Sequence, residues 1–160
     1  MLKTIGELAF NGCSKLSSIN FTNCEFLTEI KGYAFNGCKQ LTEIIHPKNL
    51  NELAGRVLQG TGITYLNIPN SVTRIGHYCC AYCGQLRTVN IEPESQLVYI
   101  GNVAFEGARI SKIFIPKLVS SVEIRSLMPI GEIVVDPENQ HFTSDDGILS
   151  CSNFFECSLS

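Results

Sequence analysis

"IGELAFNGCSKLSSINF" (residues 5–21) and "IKGYAFNGCKQLTEIIH" (residues 30–46) align without gaps at an offset of 25 residues. The same frame returns four more times, the last in a degenerate form, at residues 53–69, 75–93, 100–116 and 122–137. Recurrence at a period of 20–50 residues indicates a repeat architecture, because one such unit cannot bury its own apolar face. The sequence therefore predicts a repeat solenoid, a stack of about six units of 20–25 residues.

Each unit contains two short stretches with the pattern of strands. In the first, an apolar-x-x-apolar-x-apolar triplet alternates with polar residues, which is typical of a strand buried on one face. The triplets are Leu16/Ile19/Phe21, Leu41/Ile44/His46, Ile63/Leu66/Ile68, Leu86/Val89/Ile91, Ile110/Ile113/Ile115 and Ile130/Ile133/Val135. The second stretch is an apolar-x-x-apolar pair, such as Leu27 and Ile30, that precedes an A-F-x-x-C segment. We predict short parallel strands on the concave face, and short strands with helical or 3₁₀ turns on the convex side.

The repeated motif resembles the BspA-like leucine-rich repeats, whose units follow the pattern LxxIxIPxxVxxIGxxAFxxCxx. The resemblance covers about residues 2–149, although the third unit lacks the A-F-x-x-C residues and the sixth lacks the glycine turn. Proline stands where ordinary leucine-rich repeats have asparagine, so we expect no buried asparagine ladder. The resemblance implies a single leucine-rich-repeat solenoid domain over residues 1–149, followed by a C-terminal tail over residues 150–160.

The resemblance also implies a location and a role. BspA-like proteins are surface or secreted adhesion proteins of bacteria and protozoan parasites, and they bind host or extracellular-matrix proteins. On that basis we expect an adhesin-type protein that is secreted or located at the cell surface. The chain itself shows neither the apolar core of a signal peptide nor a membrane-spanning run of about 20 apolar residues.

The stretch "GHYCCAYCG" (residues 76–84) contains a C-x-x-C motif, which suggests half a zinc site or a redox-active dithiol. In the aligned units, however, Cys79, Cys80 and Cys83 occupy positions where other units have small or apolar residues. No second C-x-x-C and no paired histidine completes a set of four ligands. We therefore expect core packing, with an incidental disulfide or a metal or redox site as the alternatives. The sequence predicts no metal and no cofactor.

The remaining cysteines leave their pairing open. Cys13 and Cys38 occupy one position in adjacent units, and a unit spacing of about 4.8 Å would place them near disulfide range. Stacked side chains point the same way, however, which makes the required torsion awkward. Cys24, Cys151 and Cys157 lie outside this column, and the last two could pair within the tail.

Groups that could support catalysis are scattered along the chain. His46, His77 and His141 fall in different parts of different units. His46 takes an inward strand position beside a proline, where we expect a rim residue with a local partner. The acidic run "TSDDG" (residues 143–147) lacks the spacing of a calcium loop, and Asp-Gly is a common turn pair. No residue is assigned as catalytic, and we expect no enzyme activity.

Composition narrows the choice of partner. The chain has 12 Lys and Arg against 15 Asp and Glu, which gives a net charge of −3. Because its basic residues are spread thinly, no basic stripe can follow a phosphate backbone, and nucleic acid is not expected as a partner. The apolar fraction of 44% is that of a globular chain with a core.

The outward residues of the stacked strands are the candidate site. A parallel solenoid presents a column of side chains at each outward strand position, and repeat proteins use such faces for binding. The candidate protein-binding residues on the concave face are Glu43, Ile45, Tyr65, Asn67, Thr88, Asn90, Lys112, Phe114 and Val134. Apolar and aromatic anchors beside charged neighbours are typical of protein interfaces. The alternative is that scattered exposed apolar residues are ordinary on any protein surface.

Two hypotheses for the function follow. The leading one is a non-catalytic module that binds a protein ligand through the concave face. The alternative is an intracellular scaffold or assembly module, which the absence of a leader and the reduced-looking cysteines favour. Six strands about 4.8 Å apart offer on the order of 500–600 Å², somewhat less than the roughly 800 Å² of one partner in a standard interface. The chain opens midway through a unit without a polar cap, so we expect either a piece of a longer array or an end that is covered by a partner or by self-association with a second copy.

Overall fold

Two rows of short strands run through the protein. The computed structural model describes residues 1–123, 125–128 and 130–152. In chain order the strands are β1 (Thr4–Ile5), β2 (Ser18–Asn20), β3 (Glu29–Ile30), β4 (Glu43–Ile45), β5 (Glu52–Leu53), β6 (Tyr65–Asn67), β7 (Arg74–Ile75), β8 (Thr88–Asn90), β9 (Tyr99–Ile100), β10 (Lys112–Ile115), β11 (Ser121–Val122), β12 (Glu132–Val135), β13 (Phe142–Asp145) and β14 (Ile148–Cys151). The even-numbered strands from β2 to β12 form the concave face. The odd-numbered strands from β1 to β11 form the opposite row.

Strands pair with the equivalent strand of a neighbouring unit, in parallel. In the first concave pair, Ser18 lies opposite Glu43, and Ile19 lies opposite Ile44. In the opposite row, β5, β7, β9 and β11 form one continuous four-stranded sheet. This register places like side chains above like, as the repeat predicts, and it confirms the solenoid of about six units.

One hydrophobic core runs along the stack. It is built from inward strand residues such as Leu66 and Ile113, and from the aromatic rings of the A-F segments, such as Phe35 and Phe105. Complete burial of one such side chain contributes about 1.5–3 kcal/mol. The first unit is less well covered than the units that follow it. Phe10 is accordingly only partly buried, whereas Phe35 at the equivalent position is fully buried.

Turns connect the opposite row to the concave face. The sequence predicts a helical or 3₁₀ turn here, but the described residues contain no helix of either kind. In the first unit, the N–H of Cys13 donates to the carbonyl of Phe10 at 3.0 Å, and Gly12 between them has a φ of 69°. This geometry is typical of a type II turn. A second positive φ recurs in the units at residues that are not glycine: Leu8, Tyr33, Arg56, Tyr78, Val103 and Arg125.

Hydrogen bonds between units explain why these segments form turns and not a helix. The N–H of Phe10 donates to the carbonyl of Ala34 in the next unit at 2.8 Å, and Phe35 donates to Val57 at 3.0 Å. A helix would direct each N–H to a carbonyl four residues earlier and leave these bonds between units unmade. The stack therefore stabilises turns in place of the helical turn.

A hairpin of β13 and β14 covers the last unit. Asp146 and Gly147 have φ values of 47° and 78°, as in a type I′ turn, so the acidic run forms the expected Asp-Gly turn. The carbonyl of Gly147 accepts a hydrogen bond from the N–H of Ile133 at 3.1 Å, and Phe142 of β13 is buried in the core. The sequence predicts a tail that begins at residue 150, but strand β14 continues to Cys151.

Candidate functional site: the concave face

The concave face presents two columns of outward side chains. One contains Ser18, Glu43, Tyr65, Thr88, Lys112 and Glu132, and the other contains Asn20, Ile45, Asn67, Asn90, Phe114 and Val134. The structure places all nine candidate residues at outward positions, alternating with buried ones. Tyr65 is 47% exposed and Ile45 is 40% exposed, whereas Phe114 and Val134 are partly buried.

Polar side chains on this face bond along and across the strands. Asn67 Oδ1 accepts a hydrogen bond from Asn90 Nδ2 at 2.8 Å and a longer one from the Tyr65 hydroxyl at 3.4 Å. Lys112 Nζ pairs with Glu132 Oε1 at 3.0 Å. The side chains of Asn90, Lys112 and Glu132 on β8, β10 and β12 are therefore already paired within the face.

The concave face is interrupted twice. β2 pairs with β4, β6 with β8 and β10 with β12, but among the described strands no ladder joins β4 to β6 or β8 to β10. In the second unit, Leu41 lies three residues after Cys38. In the third unit, Ile63 lies only two residues after Thr61, which occupies the position of Cys38. The same connection is also one residue shorter in the unit that contains β10. Gly62 in the short connection lies so close to the preceding unit that a Cβ would be 2.5 Å from Lys39 O. The two shortened connections thus precede β6 and β10, the strands at which the row of ladders is interrupted.

A groove of about 520 Å³ lies at the first interruption. Glu43 and Ile45 of β4 line one side, Tyr65 and Asn67 of β6 line the other, and His46 lines it next to β4. Its volume lies within the range of about 300–1,000 Å³ that is typical of ligand sites. Four of the nine candidate residues therefore converge on one depression of the face.

His46 is the buried polar residue of this groove. We expected a rim residue with a local partner, and that expectation is wrong: His46 is 7% exposed, and neither ring nitrogen has a hydrogen-bond partner. Burial lowers its pKa from the ordinary value of 6.5 to about 4. At neutral pH the ring is uncharged and offers one donor and one acceptor. The sequence does carry the signal, because histidine stands where other triplets have Phe21 or Ile68.

Comparison with known repeats decides the family. The description "BspA type Leucine rich repeat region (6 copies)" matches residues 2–128. The chain belongs to the BspA-type leucine-rich repeat family. No curated protein matches the chain.

Solved structures share the BspA-type fold. The pneumococcal vaccine antigen PcpA superposes with a TM-score of 0.82 at 21% identity, over 95% of this chain and 40% of its own. A leucine-rich repeat protein from Bacteroides ovatus gives 0.59 at 25% identity, over 76% of this chain and 37% of its own. The leucine-rich repeat protein of T. pallidum gives 0.67 at 24% identity, over 76% of this chain and 56% of its own. The chain spans less than two thirds of each of these proteins.

Three buried thiols of this BspA-type chain, Cys79, Cys80 and Cys83, form what we call the thiol cluster. The Sγ atoms of Cys79 and Cys80 lie 3.7 Å apart, and Cys83 Sγ lies 3.3 Å from the hydroxyl of Thr61. Cys83 Sγ also donates to the carbonyl of Leu58 at 3.0 Å. Its hydrogen bond with Cys80 and its burial raise the pKa of the Cys83 thiol far above the ordinary value. The cluster is thus a packed group of buried thiols.

The other cysteines divide by exposure. Cys38 is buried and free, and its Sγ donates to a turn carbonyl of the preceding unit at 3.0 Å. Cys83 makes the same kind of bond to Leu58 in the preceding unit. The sequence predicts core packing for these cysteines but does not predict their hydrogen bonds to the backbone. Cys13 at the equivalent position is exposed and also free, and Cys24 is free and partly buried. Cys151 is disulfide-bonded, whereas Cys157 lies outside the described residues.

Elsewhere in the BspA-type solenoid, the ionisable side chains of His77, Tyr99 and Glu123 meet at one place. His77 Nδ1 lies 3.4 Å from Glu123 Oε2 and accepts a hydrogen bond from the N–H of Asn102 at 3.2 Å. Tyr99 donates to the same carboxylate, and burial together with that bond raises its pKa to about 12. Across residues 1–123, 125–128 and 130–152, no three His, Cys, Asp or Glu side chains are grouped so as to hold a metal ion. The same residues include no helix with the length and apolarity to span a bilayer.

Proposed function

We propose that this chain is a non-catalytic module that binds a protein ligand through its concave face. The observation that carries the proposal is the pair of outward columns, where exposed Tyr65 and Ile45 stand beside charged and amide side chains. Aromatic anchors in such surroundings dominate the binding energy of protein interfaces. Membership of a repeat family whose units stack into extended binding surfaces adds to this support.

Substitution on the face tests this role. Replacing Tyr65 and Phe114 by alanine should weaken capture of the ligand at least about tenfold while the chain remains folded. Tyr82 is a matched control, because it is an exposed tyrosine in a turn segment away from the concave strands. The measurement is biolayer interferometry of the folded chain against a panel of purified extracellular-matrix proteins. Equal loss of binding in the Tyr82→Ala variant, or no loss in the face variants, would contradict a concave site.

We propose further that the whole protein is an adhesin-type protein, secreted or located at the cell surface, that binds host or matrix proteins. One structural relative is a vaccine antigen of pneumococcus, which is consistent with such a location. Protease treatment of intact cells, followed by immunoblotting for this chain, should remove the signal while a cytoplasmic marker survives. Full protection of the chain in intact cells would refute the surface location.

The second candidate is an intracellular scaffold that uses the same surface. The free, exposed Cys13 favours it, because oxidising compartments convert exposed thiols to disulfides, whereas the disulfide at Cys151 favours the first candidate. The exposed Cys13 is the informative residue, since the buried thiols are shielded in either compartment. Protection from protease in intact cells, with Cys13 reduced in the extracted protein, is the result expected for a scaffold.

Self-association through the first unit is also proposed. Leu2 and Leu8 are exposed in this unit and Phe10 is only partly buried, whereas Leu27, the equivalent of Leu2 in the next unit, is fully buried. A second copy that covers these side chains would extend the core. Sedimentation equilibrium should then show a concentration-dependent dimer that the Leu2→Ser variant weakens.

A further inference from the structure

Three side chains that line the groove between β4 and β6 bear on what it can bind: Glu43, Tyr65 and His46. The Glu43 carboxylate has no hydrogen-bond or ion-pair partner among the described residues, whereas Glu132 in the same column is paired with Lys112. The Tyr65 ring is 47% exposed. Both ring nitrogens of His46 are buried without partners. Buried polar groups in native proteins are rarely left in this state, so the third observation indicates a site that a ligand completes.

One kind of ligand group can interact with all three of these side chains. A carboxylate at the edge of the groove favours a cation and opposes an anion. The face of a tyrosine ring also favours a cation and binds arginine more often than lysine. A neutral imidazole nitrogen without a proton accepts a hydrogen bond. The planar guanidinium, with five N–H donors and no acceptor, can serve the carboxylate, the ring face and the acceptor nitrogen of the imidazole at once.

The chain already uses this chemistry elsewhere. The guanidinium of Arg56 lies 4.1 Å from the ring centroid of Tyr78, and that of Arg74 lies 3.9 Å from the ring centroid of Tyr99. Both pairs lie outside the concave face. No arginine or lysine of the described residues lies over Tyr65 in this way. The concave tyrosine therefore lacks the cation that its convex counterparts have.

We propose that the groove between β4 and β6 binds the guanidinium of an arginine side chain presented by the protein partner. Glu43 accepts from the guanidinium, Tyr65 stacks on its plane, and His46 accepts from its inner N–H. The apolar stem of the arginine packs against Ile45. This inference rests on the proposed protein-binding function and specifies the chemistry of the partner's anchor residue.

Titration with a minimal ligand tests the site directly. The probe is Nα-acetyl-L-arginine N-methylamide, added to the ¹⁵N-labelled chain and followed by amide chemical shifts. Saturable shifts confined to β4 and β6, with a dissociation constant in the range of about 1–10 mM, are expected for so small a ligand. The citrulline analogue has the same shape without the charge and should bind at least about tenfold more weakly, and the lysine analogue about threefold more weakly. Equal binding of the citrulline or lysine analogue, or no shift up to about 50 mM arginine probe, would overturn the inference.

Matched variants separate the groove from the rest of the face. Glu43→Gln should weaken binding of the arginine probe about fivefold or more. Glu132→Gln is the control, because its carboxylate belongs to the same column but is already paired, and it should leave binding unchanged. Equal effects of the two variants would show general attraction by the acidic chain and would overturn the site.

The outcome also distinguishes this inference from the proposed function. If the Tyr65 and Phe114 variants lose the protein ligand while the arginine probe does not bind, the arginine site fails and the binding face stands. If the probe binds in the groove while the face variants still capture the ligand, the guanidinium site stands and the proposed face fails.

Discussion

Replacement of His46 by isoleucine should stabilise the protein, and the gain should grow as the pH falls. Isoleucine occupies the same strand position at Ile68, Ile91 and Ile115, where it is buried in the same core. At pH 7.5 the change removes a buried imidazole with two unpartnered nitrogens, which we expect to raise the free energy of unfolding by about 1–3 kcal/mol.

The pH dependence follows from the lowered pKa of His46. Its pKa is about 4 in the folded chain and 6.5 in the ordinary state, so the unfolded chain binds the proton first as the pH falls. The contribution of His46 to stability is therefore complete above pH 6.5 and is lost progressively towards pH 4. At pH 4 the loss amounts to about 3 kcal/mol relative to pH 7.5.

Urea unfolding of the wild type and the His46→Ile variant between pH 4 and pH 7.5 measures this difference. Both proteins keep His77 and His141, so the titration of those residues cancels when the two curves are subtracted. The difference in the free energy of unfolding should increase by about 3 kcal/mol on acidification. A difference that stays constant over this range, or a His46 pKa near 6.5 by NMR, would show that the ring is solvated in the folded state.

Other expected outcomes follow from close contacts and burial. Gly76→Ala should lower the free energy of unfolding by more than about 2 kcal/mol, because its Cβ would lie 2.6 Å from Gly55 N. Gly6→Ala is the matched control at the equivalent position, where no atom lies within 4 Å, and it should be neutral in the same urea titration. Iodoacetamide should label Cys13 in the folded protein but reach the thiol cluster only after unfolding, as read by peptide mass spectrometry; rapid native labelling of the cluster would contradict its burial. Asn139→Ala should cost about 2–4 kcal/mol in thermal unfolding, because the side chain donates to two backbone carbonyls and accepts from two N–H groups. A cost below about 0.5 kcal/mol would show that water replaces these bonds.

The strands and the core were predictable from local pattern. The triplet around Leu66 and the pair ending at Ile100 repeat in every unit, and a period-2 apolar alternation has one simple structural solution. The outward direction of Tyr65 and Asn67 follows from the same alternation. The repetition predicted that the units stack, because units that cannot bury their apolar faces alone must cover one another.

The turns were not predictable in the same way. Tyr33, Arg56 and Val103 adopt positive φ values near 59°, and none of these residue types favours that conformation locally. The hydrogen bonds from the N–H groups of Tyr33 and Arg56 run to the neighbouring unit, so no single unit contains the information. The exposure of Cys13 has a related cause, since burial of this column depends on having a neighbour on both sides.

By itself, the order of amino acids determined the repeat, the residues that face the interior and the two columns that face outwards. Side-chain periodicity within one unit is sufficient for these, because it reports which face of a short strand avoids water. Three features were decided only by the packed stack. The ladder between neighbouring concave strands is interrupted at two places, the ring nitrogens of His46 are buried without hydrogen bonds, and Glu43 and Tyr65 line one groove. Each of these depends on the offset between two units, and a one-residue difference in a connection acquires its effect only when the second unit lies against the first.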